Sequence, residues 1–219
     1  MSPISNPTVS VILTVYNRAN YLHRSIGSLL FQSFKDWELI AVDDGSMDDS
    51  YEILKEFTWT NKNIKLIRQE NMKLPCSRNT GILASSGRYI TFLDSDDEYK
   101  SNHLLERVNF LNNHPEIDLV RGSVDIVGDK YVRDKDDLQK FIHLSKCKIG
   151  ATFFGRKHVF LALKGFKNID YSEDSDFWDR AEKLFTTVKV PFKTYIYHRD
   201  DPDSITNSIS RKIEQIPDN

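Results

Sequence analysis

Residues Val9–Arg18 read VSVILTVYNR. The run is apolar and β-branched with almost no polar interruption before Asn17, which is how a strand covered on both faces of a parallel sheet reads. It predicts a strand over Val9–Tyr16 that stops at Asn17 and Arg18. Asn20 is placed to cap a helix in which Leu22, Ile26, Leu29 and Leu30 recur at helical spacing as far as about Ser33. Together they make a first βα unit.

The rhythm repeats further along the chain. Trp37–Val42 reads as a second strand, Asp43-Asp44-Gly45-Ser46 as a turn and Asp49–Phe57 as a helix with Ile53, Leu54 and Phe57 inward. Ile64–Ile67 predicts a third strand, Ser77–Ser85 a third helix, Arg88–Leu93 a fourth strand and Asn102–Asn113 an amphipathic helix. Strands and helices alternating at these lengths predict an α/β chain with a parallel sheet and right-handed crossovers. After Pro115 the rhythm loosens. Leu119–Val127 predicts one or two short strands, Asp136–Leu144 a helix, Ala151–Phe154 a strand, Glu173–Phe185 a helix and Lys193–Tyr197 a strand, with a polar tail beyond Asn207. No repeat, low-complexity tract or linker divides the chain, so a single domain is expected.

Composition excludes several classes. Against 30 Lys and Arg stand 32 Asp and Glu, a formal net charge of -2, so no global basic field exists to hold a nucleic acid. Cys76 and Cys147 lack metal-binding spacing and are too few for a disulfide framework; both read as plain small residues. No run approaches the length of a membrane span and Met1–Pro7 lacks the pattern of a leader, so a cytoplasmic chain without an integral membrane segment is expected.

In open parallel sheets, ligands bind beyond the carboxyl ends of the strands. The first strand ends in Thr14, Tyr16 and Asn17, the second in Asp43-Asp44-Gly45-Ser46, and the fourth in Asp94-Ser95-Asp96-Asp97-Glu98. Acids that close together repel by roughly 4 kcal/mol per close pair at a surface-like dielectric. A cation relieves this, and carboxylates completed by phosphate oxygens suit Mg²⁺ or Mn²⁺ better than zinc. Asp94 and Asp96 are the candidate ligands, with Asp97 as a third candidate. The competing reading is a solvated acidic turn ahead of the Asn102 helix.

Four stretches, VSVILTVYNR (9–18), DWELIAVDDGSMDDS (36–50), SRNTGILASSGRYITFLDSDD (77–97) and EDSDFWDR (173–180), resemble in this order and spacing the family 2 glycosyltransferases of the GT-A fold. The likeness runs through most of residues 8–185; no distinctive motif covers about 122–170 or the chain after 199. It implies a Rossmann-like, mostly parallel sheet flanked by helices with a smaller acceptor-side α/β portion. Residues 8–115 would form the nucleotide-sugar half, 116–200 the acceptor-side half and 201–219 a tail. By this resemblance Thr14, Tyr16 and Asp44 contact the nucleobase, usually uracil, and Arg78 lies near the base or the phosphates. Asp94 and Asp96, flanking Ser95 in the donor site, form the DxD pair, with Asp96 the principal metal ligand. Asp174 is the general base of an inverting single displacement from a nucleotide-diphosphate donor, a UDP-sugar first, to a glycan or lipid-linked acceptor.

Glu173 is a candidate for orienting the acceptor, and Asp176 reads as a surface acid. His198 or Arg199 would reach the diphosphate from a C-terminal loop, against the alternative of a surface imidazole. Arg18 and Lys73 are candidate supports for phosphates. Trp37, Trp59 and Trp178 read as packing, although Trp178 lies one helical turn from Asp174 and could stack on a sugar. The segment from Gly122 to Asp170, with Tyr131, Arg133, Phe153 and Phe154, is expected to supply much of the acceptor pocket.

Three rival classes compete. A phosphohydrolase with an aspartate nucleophile would carry its DxD after the first strand, where this chain has Thr14-Val15-Tyr16. A dinucleotide-binding dehydrogenase would need GxGxxG, which is absent. A non-catalytic sugar-nucleotide-binding or scaffold protein of the same fold would be expected to have lost the metal pair or the base, yet Asp96 and Asp174 are both present.

Overall fold

The computed structural model describes residues 6–137, 139–169 and 171–200. Its first half runs β1 (Val9–Val15), α1 (Ala19–Leu30), β2 (Trp37–Asp43), α2 (Ser50–Thr60), β3 (Ile64–Arg68), α3 (Lys73–Ala84), β4 (Tyr89–Asp94), β5 (Glu98–Tyr99) and α4 (His103–Asn113). The second half runs β6 (Leu119–Arg121), β7 (Val124–Gly128), β8 (Tyr131–Arg133), β9 (Phe141–His143), β10 (Phe153–Arg156), α5 (Lys157–Ala162), α6 (Glu173–Glu182), β11 (Thr187–Lys189) and β12 (Tyr195–Arg199).

Seven strands form one sheet in the order β11-β6-β10-β4-β1-β2-β3. Every pairing in it is parallel except those of β10, which runs against both β4 and β6. Hence β1, β2, β4, β6 and β11 all end on one edge, and β10 begins there. Strands β5, β12 and β7 make a second, three-stranded sheet, and β8 pairs with β9 as a hairpin.

The period of two along each strand sorts its side chains onto two helix layers. Val9, Val11, Leu13 and Val15 of β1 meet Leu22, Ile26 and Leu29 of α1, Leu54 of α2 and Leu104, Val108 and Leu111 of α4. Ile12 on the opposite face meets Ile82 of α3, in a layer that also holds Phe160 of α5 and Phe177 and Trp178 of α6. Burying each such side chain stabilises by about 2 kcal/mol, and the all-buried β1 and β2 explain why the opening run has no alternation.

The sequence reading departs from the structure at three kinds of place. The segment expected as a helix over Asp136–Leu144 carries strand β9 and a 3-10 turn instead. Asp134 and Asp137 accept hydrogen bonds from the backbone of Asp136 and Gln139, turns that compete with helix, and Phe141 lies beneath the Arg133 guanidinium at 4.1 Å. Asn20 is not the α1 cap. The helix starts at Ala19 with Arg18 in the cap position, and Asp48 of the loop after β2 and Ser50 at the start of α2 accept the Ala19 and Arg18 N–H groups. Finally, Phe153 and Phe154 are fully buried in the core and Arg133 is buried as well, so none of these three side chains is an exposed pocket wall. The expected tail beyond Asn207 lies outside the described residues.

Candidate active site

The segment Ser77-Arg78-Asn79-Thr80-Gly81 at the heart of α3 ties the carboxyl edge together. Gly81 lies so close to β1 that a Cβ there would overlap the Ile12 side chain. Thr80 donates to Gln69 Oε1 at 2.7 Å, and Gln69 Nε2 in turn donates to Asp44 Oδ1 at 2.7 Å. The Met72 N–H adds a second bond to Asp44 Oδ1 at 3.0 Å. Asn79 holds the backbone of Phe166 through both its N–H and its carbonyl, each at 2.8 Å. That contact sets the Phe166 ring 5.3 Å from the Arg78 guanidinium, with Phe92 at 5.6 Å on the same cation.

Arg78 is 3% exposed and bridges the two halves of the chain. Its Nη2 bonds Asp94 Oδ1 at 3.0 Å and its Nη1 bonds Glu173 Oε1 at 3.0 Å. Burial opposes its charge, but Asp94, Glu173 and Asp174 together raise its pKa, so it is permanently cationic. The guanidinium is therefore engaged by protein carboxylates, and it links the acid that ends β4 to the acids that open α6.

Asp174 sits in the first turn of α6, where the helix dipole favours a carboxylate. Its Oδ2 accepts the Gly150 N–H at 3.1 Å and its Oδ1 accepts the Ser175 N–H at 2.7 Å. Burial, then the neighbouring charge of Glu173, pushes its carboxyl up to about 7 against the opposing pull of Arg78. A carboxylate poised near neutrality suits general-base work. The adjacent Asp176 is half-buried, not a plain surface acid: it pairs with Lys167 and Arg180 at 2.7 Å each, and Arg180 reaches the Leu163 and Gly165 carbonyls. Trp178 is 1% exposed, inside the core, so it has no face for a sugar.

The acidic loop after β4 divides its labour. Asp94 and Asp96 are half-buried, Ser95 is buried, and Asp97 is fully buried. Asp97 accepts the Tyr195 hydroxyl at 2.7 Å and the His198 N–H at 2.7 Å, and burial with the charges of Asp96 and Asp94 lifts its pKa well above the usual carboxylate range. It serves as the clasp that fastens β12 to this loop. His198 Nε2 meets Glu98 at 2.8 Å, and Arg24 meets both Glu98, at 3.6 Å, and the Asp96 carbonyl. Arg199 turns to the Tyr131 carbonyl at 3.3 Å. Among the described residues no set of three or more His, Cys, Asp or Glu is arranged to hold a metal unaided. Asp94 and Asp96 offer the oxygen donors that a hard divalent cation takes when phosphate oxygens complete its shell, so the donor set fits Mg²⁺ or Mn²⁺.

Beside this centre lies a second group. Thr14 is buried, in register with Asp94 on β4 and Val42 on β2, while Tyr16 is 43% exposed just past the strand. The Asp44 N–H donates to the Val15 carbonyl at 2.8 Å, which fastens Asp44 to the end of β1. Asn17, at φ 53°, and Ser46 lace the two loops by bonds at 2.8 and 3.0 Å. Sequence reasoning did not single out Gln69, Gly150, Arg24 or Tyr195. They touch the site from 24 to 101 residues away, and only a nearby local pattern could have marked them.

A mostly parallel sheet with acids at the ends of β2 and β4, on either side of β1, and a helix-borne carboxylate facing them is the GT-A arrangement. The family model for glycosyl transferase family 2 matches residues 10–170, and the chain belongs to that family. Glycosyltransferase GlyA of Streptococcus pneumoniae is 44% identical over 96 residues, which are 44% of this chain and 14% of that protein. The crystal structure of S. aureus TarS 1-349 in complex with UDP-GlcNAc superposes with a TM-score of 0.73 at 19% identity, over 90% of this chain and 60% of that one. The mannosyltransferase PcManGT from Pyrobaculum calidifontis, in complex with GDP-Man and Mn²⁺, gives 0.68 at 18% identity, over 89% and 57%. The chain thus spans less than two thirds of each of these three. Among the described residues no helix is long and apolar enough to cross a membrane.

Proposed function

We propose that this chain transfers a sugar from a nucleotide diphosphate, UDP first, to an acceptor hydroxyl with inversion. The single observation that carries the reading is the Asp94–Arg78–Glu173 chain of ion pairs, which sets the donor-side acids against the α6 carboxylate Asp174. Family membership supports it, as do the neighbours that bind UDP-GlcNAc and GDP-Man with Mn²⁺.

In this reading Thr14, Tyr16 and Asp44 hold the nucleobase, and Asp94 and Asp96 with Ser95 hold the diphosphate end through Mn²⁺ or Mg²⁺. That ion, when bound, supplies charge stabilisation for the departing diphosphate. Arg78 fixes Asp94 and Glu173 in place and contributes a buried positive field to the same corner. Asp174 takes the proton of the acceptor hydroxyl as it attacks, and the Gly150 N–H holds the carboxylate in the geometry for that step. Glu173 orients the acceptor side, His198 secures β12 over the acidic loop, and Arg199 ties the end of β12 to β8. Residues 1–219 act as one catalytic unit, working in the cytoplasm.

The test is thermal shift with a panel of UDP-, GDP- and dTDP-sugars in Mn²⁺. A true donor raises the melting temperature by mass action. UDP-sugars are expected to stabilise the chain, and Asp44→Ala is expected to weaken UDP about tenfold. A flat response to the whole panel would contradict the reading.

A further inference from the structure

The same carboxyl edge continues past the centre described above. Beyond β10 it carries Arg121 at the end of β6 and Lys189 at the end of β11, which are register partners. Next to them opens a cleft of about 260 Å³ between β6, β7 and the hairpin that follows. Four cations line it, Arg121, Lys130, Lys189 and Lys193, together with the His143 imidazole; the only carboxylate is Asp125. Asp125 pairs with Lys100, outside the cleft, at 2.7 Å. Among the described residues no carboxylate pairs directly with any of the four cations, although Asp125 acts on Lys193, and Glu182 on Arg121, from a longer distance. Arg121 gives Nη1 to the Cys147 carbonyl at 3.1 Å and Lys189 gives Nζ to the Ser145 carbonyl at 3.1 Å, so two of the four are held in place.

The cleft is joined to the reaction centre by covalent and packing links. Cys147 and Ile149 stand in its wall, and the next residue, Gly150, donates its N–H to Asp174. The Arg121 guanidinium lies 5.2 Å over the Trp178 ring, one turn along α6 from Asp174. Like charges sharing so small a space repel unless an anion enters. The chain's net charge of -2 makes this a local device and not a spillover of a basic protein. A neutral glycan would leave the cations unexplained, and the volume suits a phosphate group with its adjoining alcohol, not a folded partner.

Resting on the reading of Asp174 as the base, we infer that the acceptor carries a phosphate ester, held in this cleft while its hydroxyl reaches Asp174. Two sources share that chemistry, a polyol phosphate chain and a lipid-linked diphosphate. Calorimetry with saturating UDP and Mn²⁺, which fill the donor site, compares a short glycerol phosphate oligomer, farnesyl diphosphate and a neutral oligosaccharide. The expected result is binding of at least one phosphate probe and not of the neutral one. The triple variant Lys130→Gln, Lys189→Gln, Lys193→Gln is expected to weaken that binding about tenfold at about 0.1 M ionic strength and less at about 1 M. Its UDP affinity and melting temperature should match the unmutated chain. The oligomer alone binding assigns the polymer, farnesyl diphosphate alone assigns the lipid, and both together support the shared phosphate. Binding of neither, or equal binding in the triple variant, overturns the inference. Failure of UDP to bind would sink the donor reading alone, because the cleft is read by binding without transfer and can be titrated without nucleotide.

Discussion

At the scale of single residues, the proposed base Asp174 joins chemistry to stability. Its folded pKa stands at about 7 against an ordinary 3.8, so the stability it contributes is complete below the lower value and is lost as pH rises through the higher one. The ionised form that a base needs is thus the form the fold tolerates least. Transfer should rise with pH and level off above about 7. Asp174→Asn should abolish transfer yet melt above the unmutated chain at about pH 8, with the difference shrinking towards about pH 5. Melting curves at the two pH values check this, and a variant that melts lower at about pH 8 would contradict it. Arg78→Lys tests the neighbouring bridge. Lysine cannot span two carboxylates as the guanidinium fork does, so a loss of about 3 kcal/mol is expected, with loss of transfer. Denaturant unfolding measures it; an unchanged midpoint would remove the bridge from the account.

At the scale of elements, the α3–β1 contact explains a glycine in mid-helix. Alanine at an ordinary helix site gains about 1 kcal/mol over glycine. At Gly81 it would meet Ile12, whose branched side chain is 1% exposed and has nowhere to move. Gly81→Ala is expected to destabilise by about 2 kcal/mol, and Ile12→Ala added to it is expected to recover part of that loss. A double-mutant cycle without coupling would show that α3 can shift. Such elements were legible to different degrees. The strands β1, β2 and β4 could be read because buried parallel strands write continuous apolar runs, and the acids at the ends of β2 and β4 marked the edge of the site. Strand β11 is three residues and α5 six, too short for any period to show. The Arg78 bridge to Glu173 spans 95 residues and could be drawn only in three dimensions, although both of its ends were already candidates.

At the scale of the whole molecule, one sheet edge gathers the proposed nucleotide, metal, base and acceptor groups from both halves of the chain. Within the seven-stranded sheet β10 alone runs backwards, and that reversal brings Gly150 to the edge where it meets Asp174. The account depends on the acids after β4 holding a cation and, through it, a diphosphate. The most direct measurement is a calorimetric titration of UDP, with Mn²⁺ and with the metal chelated, into the unmutated chain, Asp96→Asn and Asp174→Asn. The account predicts metal-dependent UDP binding that Asp96→Asn loses and Asp174→Asn keeps. UDP binding that ignores the metal, or that falls equally in both variants, would contradict it.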